Sequence, residues 1–194
     1  MNNLENNFPE RLRDGRFTDI MIDLETLDTK DSTAILTIAA QAFNIETGEV
    51  CPINYYARLN YERQIQEGRT ISVDTALWWG HQSEEAIDEA FGGHMTLWEA
   101  LVNLRKYFDK HCYTDRQVWA KAPIFDLATL KHAYAKNDQE VYWDYSNERD
   151  VRTYLWAVEN FTQHLNWEAT HVSREDVSNQ INAVCQVYQI INSK

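Results

Sequence analysis

Three short segments hold side chains that could do chemistry together. In Asp23-Leu24-Glu25-Thr26 two carboxylates stand two residues apart, directly after the apolar run Ile20-Met21-Ile22. On a strand, residues i and i+2 share a face, so Asp23 and Glu25 project side by side. Carboxylates that close repel unless a cation lies between them, and hard oxygen donors suit Mg²⁺ or Mn²⁺. In Phe125-Asp126 an acid follows an apolar turn and opens a helix, a place where Asp also serves as an N-cap. In His171-Val172-Ser173-Arg174-Glu175-Asp176 a histidine precedes an aspartate by five residues; alone, this describes a loop histidine and a second helix cap. With 30 Asp and Glu in 194 residues, acidic pairs are frequent as solvated turns, so no single segment decides.

The elements that must position these residues follow from hydrophobic period. Asp19–Leu24 reads as a buried strand, Ala34–Phe43 as a second, and Val50–Leu59 as a third after the turn Glu46-Thr47-Gly48-Glu49. Three strands on short turns predict an antiparallel meander. From Thr75 to Lys110 the spacing turns helical, through Ala86, Ala90 and Phe91 and then Leu97, Leu101, Leu104 and Phe108. Gly92-Gly93 divides this stretch into two helices, and Thr96 is the expected cap of the second. A short strand at Gln117–Ala120 precedes a helix over Asp126–Ala135, with Leu127, Leu130 and Tyr134 on one side. Helices are expected over Val151–His164 and Asp176–Asn192. Strands first, then helices interleaved with short strands, predict an α/β sheet under helical cover. The organisation expected is a loosely ordered extension over residues 1–17 and one domain over residues 18–194.

In order and context, Asp23, Glu25, Asp126, His171 and Asp176 resemble the motifs of the DEDD-type, DnaQ-like 3′–5′ exonucleases that carry a histidine in the third motif. Acid-x-acid-Thr on the first strand is matched by Asp23-Leu24-Glu25-Thr26, the aromatic-Asp of the second motif by Phe125-Asp126, and His-x4-Asp by His171 and Asp176. The likeness runs from about residue 18 to the C-terminus. Within the superfamily the chain looks most like the branch of the small phage exonuclease A and the mycobacterial exoribonuclease, through Trp78-Trp79 with Gln82, Trp119–Leu130 and Arg149–Thr153. It departs in having Ala122-Pro123-Ile124 where many relatives carry Asn and Gly. The resemblance implies a ribonuclease H-like fold, a central mixed sheet flanked by helices, and release of nucleoside 5′-monophosphates from single-stranded 3′ ends. It implies two divalent ions, Mg²⁺ or Mn²⁺, held by Asp23, Glu25, Asp126 and Asp176.

These residue types suit phosphodiester cleavage. Two metals about 3.5–4 Å apart serve both the attacking and the leaving oxygen. Asp23, Glu25 and Asp176 would hold the tighter ion, with Asp23 bridging to a second near Asp126. His171 is the candidate general base, since an unperturbed imidazole titrates near neutrality. His81, His94, His111, His132 and His164 have no matching spacing and read as surface or core residues. For substrate contact the candidates are Thr26, Leu27, Trp78, Trp79, Gln82 and Phe125. Adjacent tryptophans on a helix diverge by about 100°, so at most one of Trp78 and Trp79 is fully core while the other stacks a base or covers a cleft. Between Arg105 and Lys121 five cations stand against two aspartates, and Arg149 with Arg152 forms another candidate phosphate pair.

Composition bounds the partners. The formal net charge is −12, which argues against a broad basic clamp on duplex DNA but not against holding a few terminal nucleotides at bound cations. Cys51, Cys112 and Cys185 lie far apart in no metal-binding spacing, which suits reduced thiols. No signal-like or membrane-spanning run is present, and the expectation is a bacterial or phage-infected host cytosol, no membrane partner, and a homodimer left open. Telling RNA from DNA requires contact with the 2′-OH, which no motif here fixes. The sequence reading favours DNA, with an exoribonuclease of the same chemistry as the alternative. A non-catalytic binding module, or a protein whose tryptophans form an oligomer interface, are the readings from other classes.

Overall fold

A computed structural model describes residues 15–158 and 169–193. Most of the extension expected over residues 1–17 therefore lies outside the described residues, and Phe17 already opens the first strand. The order is β1 (Phe17–Thr26), β2 (Ile35–Asn44), β3 (Glu49–Val50), β4 (Tyr55–Arg58), α1 (Tyr61–Gln66), α2 (Val73–Trp79), α3 (Glu84–Phe91) and α4 (Leu97–His111). Then come β5 (Cys112–Ala120), α5 (Asp126–Lys136), β6 (Glu148–Asp150), α6 (Val151–Trp156) and α7 (Ser173–Asn192).

The strands form one six-stranded mixed sheet in the order β3-β2-β1-β5-β6, with β4 also paired to β2. Its first part is the expected antiparallel meander; β5 then returns parallel to β1, and β6 parallel to β5. The third strand expected over residues 50–59 is split in two. Cys51 still donates its N–H to Ala42 O at 2.9 Å, but Pro52 has no N–H with which to continue the ladder. The strand expected at Gln117 begins five residues earlier, because α4 passes into β5 at Cys112 with no intervening loop. Helices α1 and α2, absent from the sequence reading as separate elements, are six and seven residues long, too short for a 3.6-residue period to show. The starts of α1 to α4 are nevertheless marked: Asn60, Ser72, Ser83 and Thr96 in turn each accept a backbone N–H of the first turn, and Thr96 with Glu99 forms a capping box. Helix α6 ends at Trp156, and the rest of the helix expected to His164 falls outside the described residues from 159 onward.

Alternation along β1 divides the core. Ile20, Ile22 and Leu24 face the layer of α4 and α5, against Leu101, Leu104, Phe108, Leu127 and Leu130. Met21 faces the opposite layer, with Trp119, Val151 and the α7 residues Val177, Ile181 and Val184. Each such buried aliphatic side chain contributes about 2 kcal/mol. Period two then puts Asp23 and Glu25 on Met21's side, under α7.

The Gly92-Gly93 pair does more than separate helices. After α3 the chain presses against the end of β4, where Met95 N donates to Arg58 O (3.2 Å) and Asn60 N to Met95 O (2.8 Å). A Cβ on Gly93 would fall inside van der Waals contact of the Arg58 and Leu59 backbone, which cannot yield as a flexible side chain can. Gly93→Ala is expected to cost about 3 kcal/mol, read as a lower urea midpoint at unchanged m-value.

Candidate functional site

The sheet leaves an opening where the three motifs meet. β1 pairs with β5 only as far as Met21 opposite Trp119, while its pairing with β2 continues through Asp23 opposite Ala39 and Glu25 opposite Thr37. Past Met21 the β5 side of β1 is bare, at the carboxyl ends of two parallel strands, which is where open α/β sheets form their crevice. The N-terminal ends of α5 and α7 border it. The cleft measures about 500 Å³ and is lined by Asp23, Glu25, Asp126, His171 and Asp176, together with Thr26, Trp78, Phe125, Lys121 and Arg152.

Asp126 is the first residue of α5 and not its cap. Phe125 N and Asp126 N both donate to Ala122 O, at 2.8 and 2.9 Å, so Ala122-Pro123-Ile124 makes a hydrogen-bonded turn in place of the relatives' Asn and Gly. Helix α7 starts at Ser173, three residues before the expected Asp176, and is tied to the sheet by Ser173 Oγ and Thr37 Oγ1 at 2.9 Å. Thr37 is the β2 partner of Glu25, so this contact sets the helix end against the acidic pair. From the first turn of α7, Asp176 reaches back to accept the N–H of Thr170 (2.9 Å) and of His171 (3.1 Å). His171 is held with φ +57°, a left-handed conformation that few non-glycine residues adopt. A ligand atom from each of Glu25, His171 and Asp176 lies within 4.8 Å of the others. Four residues further along α7, Gln180 Nε2 donates to Asp23 Oδ1 at 2.8 Å, while its Oε1 is buried without a partner.

The electrostatics of the cleft disfavour a cluster of ionised carboxylates. Two ionised carboxylates with oxygens within 4.8 Å of each other, as Glu25 and Asp176 have, repel by at least about 3 kcal/mol at an effective dielectric near 20, more than a buried leucine returns. Asp23 is pushed well above the usual carboxylate range, first by burial and next by Asp126, against the hydrogen bond from Gln180. Glu25 is raised by burial, then by Asp23, Asp176 and Asp126. Burial raises Asp126 to about 7, opposed by backbone N–H contacts at Ala122 and by the charges of Arg152 and Lys121. Hard anionic donors crowded together and mostly buried fit divalent cations, which would relieve both burial and repulsion.

The remaining candidates separate. Trp78 stands at the cleft, 42% exposed, with its ring edge-on to His171 at 4.7 Å between centroids. Trp79 and Leu27 are buried in a cluster with Leu36, Ala86 and Ala90, and Trp79 Nε1 donates to Thr26 O at 3.0 Å. Gln82 donates back to Trp78 O (3.1 Å) and does not line the cleft. The basic stretch is mostly structural: Arg105 stacks on Tyr142, the buried Arg116 donates to the carbonyls of Tyr113 and Tyr142, and only Lys121 reaches the cleft. Of the arginine pair, Arg149 donates to the carbonyls of Ser146 and Glu148, and Arg152 lines the cleft. Gln180 is the residue that sequence reasoning missed, although its position one turn after Asp176 puts both on one face of α7.

A family model described as the 3′-5′ exoribonuclease Rv2179c-like domain matches residues 18–188. No curated protein matches the sequence. Among solved structures, the zinc-bound complex of E. coli exonuclease I with single-stranded DNA is similar at a TM-score of 0.66 and 12% identity, over 92% of this chain and 42% of that one. The same exonuclease with a dA16 oligonucleotide gives 0.62 and 12%, over 86% and 40%. The nuclease domain of 3′hExo, a DEDDh family member bound to rAMP, gives 0.57 and 12%, over 88% and 90%. The chain thus spans about two fifths of the exonuclease I chains, and at these identities the likeness is one of ribonuclease H-like fold. The family model extends over all but the first 17 and last six residues, and the chain belongs to the Rv2179c-like 3′-5′ exoribonuclease domain family.

Proposed function

We propose that the protein is a divalent-metal-dependent 3′–5′ exonuclease acting on single-stranded ends. The observation that carries this reading is the meeting of Asp23, Glu25, Asp126, His171 and Asp176 in one cleft at the open carboxyl end of the sheet. Hydrolysis adds one water across the terminal phosphodiester: the P–O3′ bond breaks, the shortened strand keeps a 3′-hydroxyl, and a nucleoside 5′-monophosphate leaves. Asp23, Glu25, Asp126 and Asp176 would hold two ions, Mg²⁺ or Mn²⁺. Bound there, such ions supply Lewis-acid stabilisation of charge on the reacting phosphate. His171, partly exposed beside Glu25 and Asp176, accepts the proton of the attacking water. Asp176 is a positioning residue as well as a carboxylate donor, since it binds the His171 N–H. Trp78 offers its exposed face to a base, and Lys121 and Arg152 offer cations to the strand. Phe125 and Thr26, also on the cleft wall, border the terminal nucleotide.

The polymer is RNA in this reading, because the family description names an exoribonuclease and its model spans 171 residues of the chain. DNA, the polymer favoured by the sequence reading, is the second assignment, supported by the complexes of the structurally similar exonuclease I with single-stranded DNA. A cytosolic site suits the three free thiols, and among the described residues no helix is long and apolar enough to cross a membrane.

The assay uses 5′-labelled single-stranded RNA and DNA with Mg²⁺, Mn²⁺ or EDTA. Expected is a ladder shortening from the 3′ end with metal only, abolished in Asp23→Ala. His171→Ala should lower kcat by about 10²–10⁴ while metal still raises the melting temperature. An unshortened strand, or an Asp23→Ala protein as active as wild type, would sink the reading.

A second expectation concerns stability. Asp126 is raised in the folded chain to about 7 from an ordinary 3.8, so the folded state binds the proton more tightly. Its contribution is fully present below the unfolded pKa and is lost as pH rises through the folded one. In EDTA the melting temperature should therefore fall between about pH 4 and pH 7, and Asp126→Asn should flatten part of that fall. Mg²⁺ or Mn²⁺ at pH 8 should restore wild type but help Asp126→Asn less.

A further inference from the structure

A second hollow, of about 650 Å³, lies between α1, α4 and the C-terminal end of α5. Its walls carry the cations Arg63, Arg69 and Lys136 and the neutral imidazole of His132 against the single acid Glu67, and Trp98 lies on its rim, 54% exposed. This is an excess of cations in a chain whose formal net charge is −12. Arg69 is the most informative of them. It is only 8% exposed, and it donates Nε to Thr33 O at 2.6 Å and a terminal N–H to Asp31 O at 3.3 Å. Among the described residues no carboxylate lies within ion-pair distance of it. Buried charges are ordinarily paired, and here the Asp31 carboxylate favours the charged form of Arg69 only from beyond ion-pair distance, so a guanidinium held by carbonyls at the wall of a cavity can still take an anion in direct contact. Its other terminal nitrogen faces His132 Nδ1 at 3.4 Å. Arginine can only donate there, which leaves the imidazole proton on Nε2, available to an acceptor.

The hollow is joined to the cleft by two elements. Helix α5 begins with Asp126 in the cleft and ends with Lys136 in the hollow, about 15 Å along its axis. The loop from β1 to β2 puts Asp28 and Thr29 on the cleft wall and the Asp31 carbonyl on Arg69. At roughly 3.4 Å per stacked nucleotide, the distance corresponds to about four nucleotides.

We propose that this hollow is a second nucleic-acid subsite, in which Arg63, Arg69, His132 and Lys136 bind a backbone phosphate about four nucleotides upstream of the cleaved end while Trp98 stacks the adjoining base. The assignment rests on the exonuclease reading for the polarity of the strand. Arg63 shares its guanidinium with Glu67 (2.8 Å), and phosphate binding adds a second acceptor to that group. A strand of two or three nucleotides occupies the cleft alone, whereas a longer one spans both sites, and the second contact raises affinity through effective concentration.

The variants R63E/K136E and W98A change exposed side chains and leave the buried Arg69 and the cleft intact. KM and kcat are measured on a trinucleotide and a 12-mer of the preferred polymer. In parallel, fluorescence anisotropy reads 12-mer binding in an Asp126→Asn background, which needs no cleavage. Expected for R63E/K136E is a 12-mer KM and Kd raised about tenfold or more, with trinucleotide KM and kcat unchanged. The salt slope of binding should fall by about 1.4, the value for two cations no longer neutralising phosphate on a single strand. W98A should raise the 12-mer Kd about fivefold or more without altering the salt slope. Equal losses on both lengths, or an unchanged 12-mer, would overturn the subsite. So would loss of 5′-AMP or inorganic phosphate binding alone, which would make the hollow a site for free nucleotide or anion. If wild type cleaves nothing yet the 12-mer binds with these dependences, the exonuclease reading fails and the subsite stands. If wild type cleaves normally and the variants bind as it does, the reverse holds.

Discussion

Crowding of like charge is the constraint around which this molecule is arranged. Asp23, Glu25, Asp126 and Asp176 are all nearly buried and line one cleft, and their neighbours make Asp23 and Glu25 harder to ionise. A fold that optimised only its own stability would not gather them, because burial and repulsion act in the same direction. The surroundings supply partial relief: Gln180 donates to Asp23, backbone N–H groups donate to Asp176, and Lys121 and Arg152 bring positive charge to Asp126. That relief is incomplete, as the raised carboxylates show. The deficit is what a divalent cation would supply, and it ties the stability of this region to the chemistry proposed for it.

The rest of the architecture reads as the means of holding that crowd in place. Two apolar layers clamp the sheet from either side, so β1 cannot slip: a one-residue change of register would turn Ile20, Ile22 and Leu24 towards α7 and the carboxylates into the α4–α5 core. β5 stops pairing with β1 at Met21, which leaves the acidic end of β1 accessible from one side while β2 still supports it from the other. The Ser173–Thr37 contact and the Asp176–His171 backbone bond then fix the start of α7 against that edge. The strain in the His171 backbone is compatible with this, since Asp176 and the first turn of α7 over-determine its position.

Much of this is legible in the sequence because it is written in short-range patterns. The alternation along β1, the i, i+2 spacing of Asp23 and Glu25, and the helical period around Leu101, Leu104 and Phe108 survive in the structure because each is a local periodicity serving one buried face. Pro52 is visible as a residue, yet an apolar run on either side of it reads as one strand, and the missing N–H breaks that strand in two. The charged segment Glu148-Arg149-Asp150 carries no strand signal at all; it is extended only because β5 offers it a partner. Trp78 and Trp79 show the same limit. Their adjacency predicts that they diverge, but which one enters the core depends on Leu27, Leu36 and Ala90, contributed by distant parts of the chain. Likewise the basic run near Arg105 has the composition of a phosphate surface, but Tyr142 and the carbonyl of Tyr113 occupy its guanidinium groups.

Sequence alone determined the types and local directions of the reactive side chains, because a two-residue or helical period fixes which face each one takes. It also determined the family, since the order and context of three acidic motifs form a chemical signature independent of distance. Only the tertiary structure decided that those motifs meet, that Gln180 bridges to Asp23, and that Arg69 is buried at a hollow with no carboxylate at ion-pair distance among the described residues. Those outcomes depend on pairs of residues as far apart as 157 positions, brought together by the crossing of β1, α5 and α7. Periodicity specifies a face; which residues meet across two faces is settled by packing the whole chain.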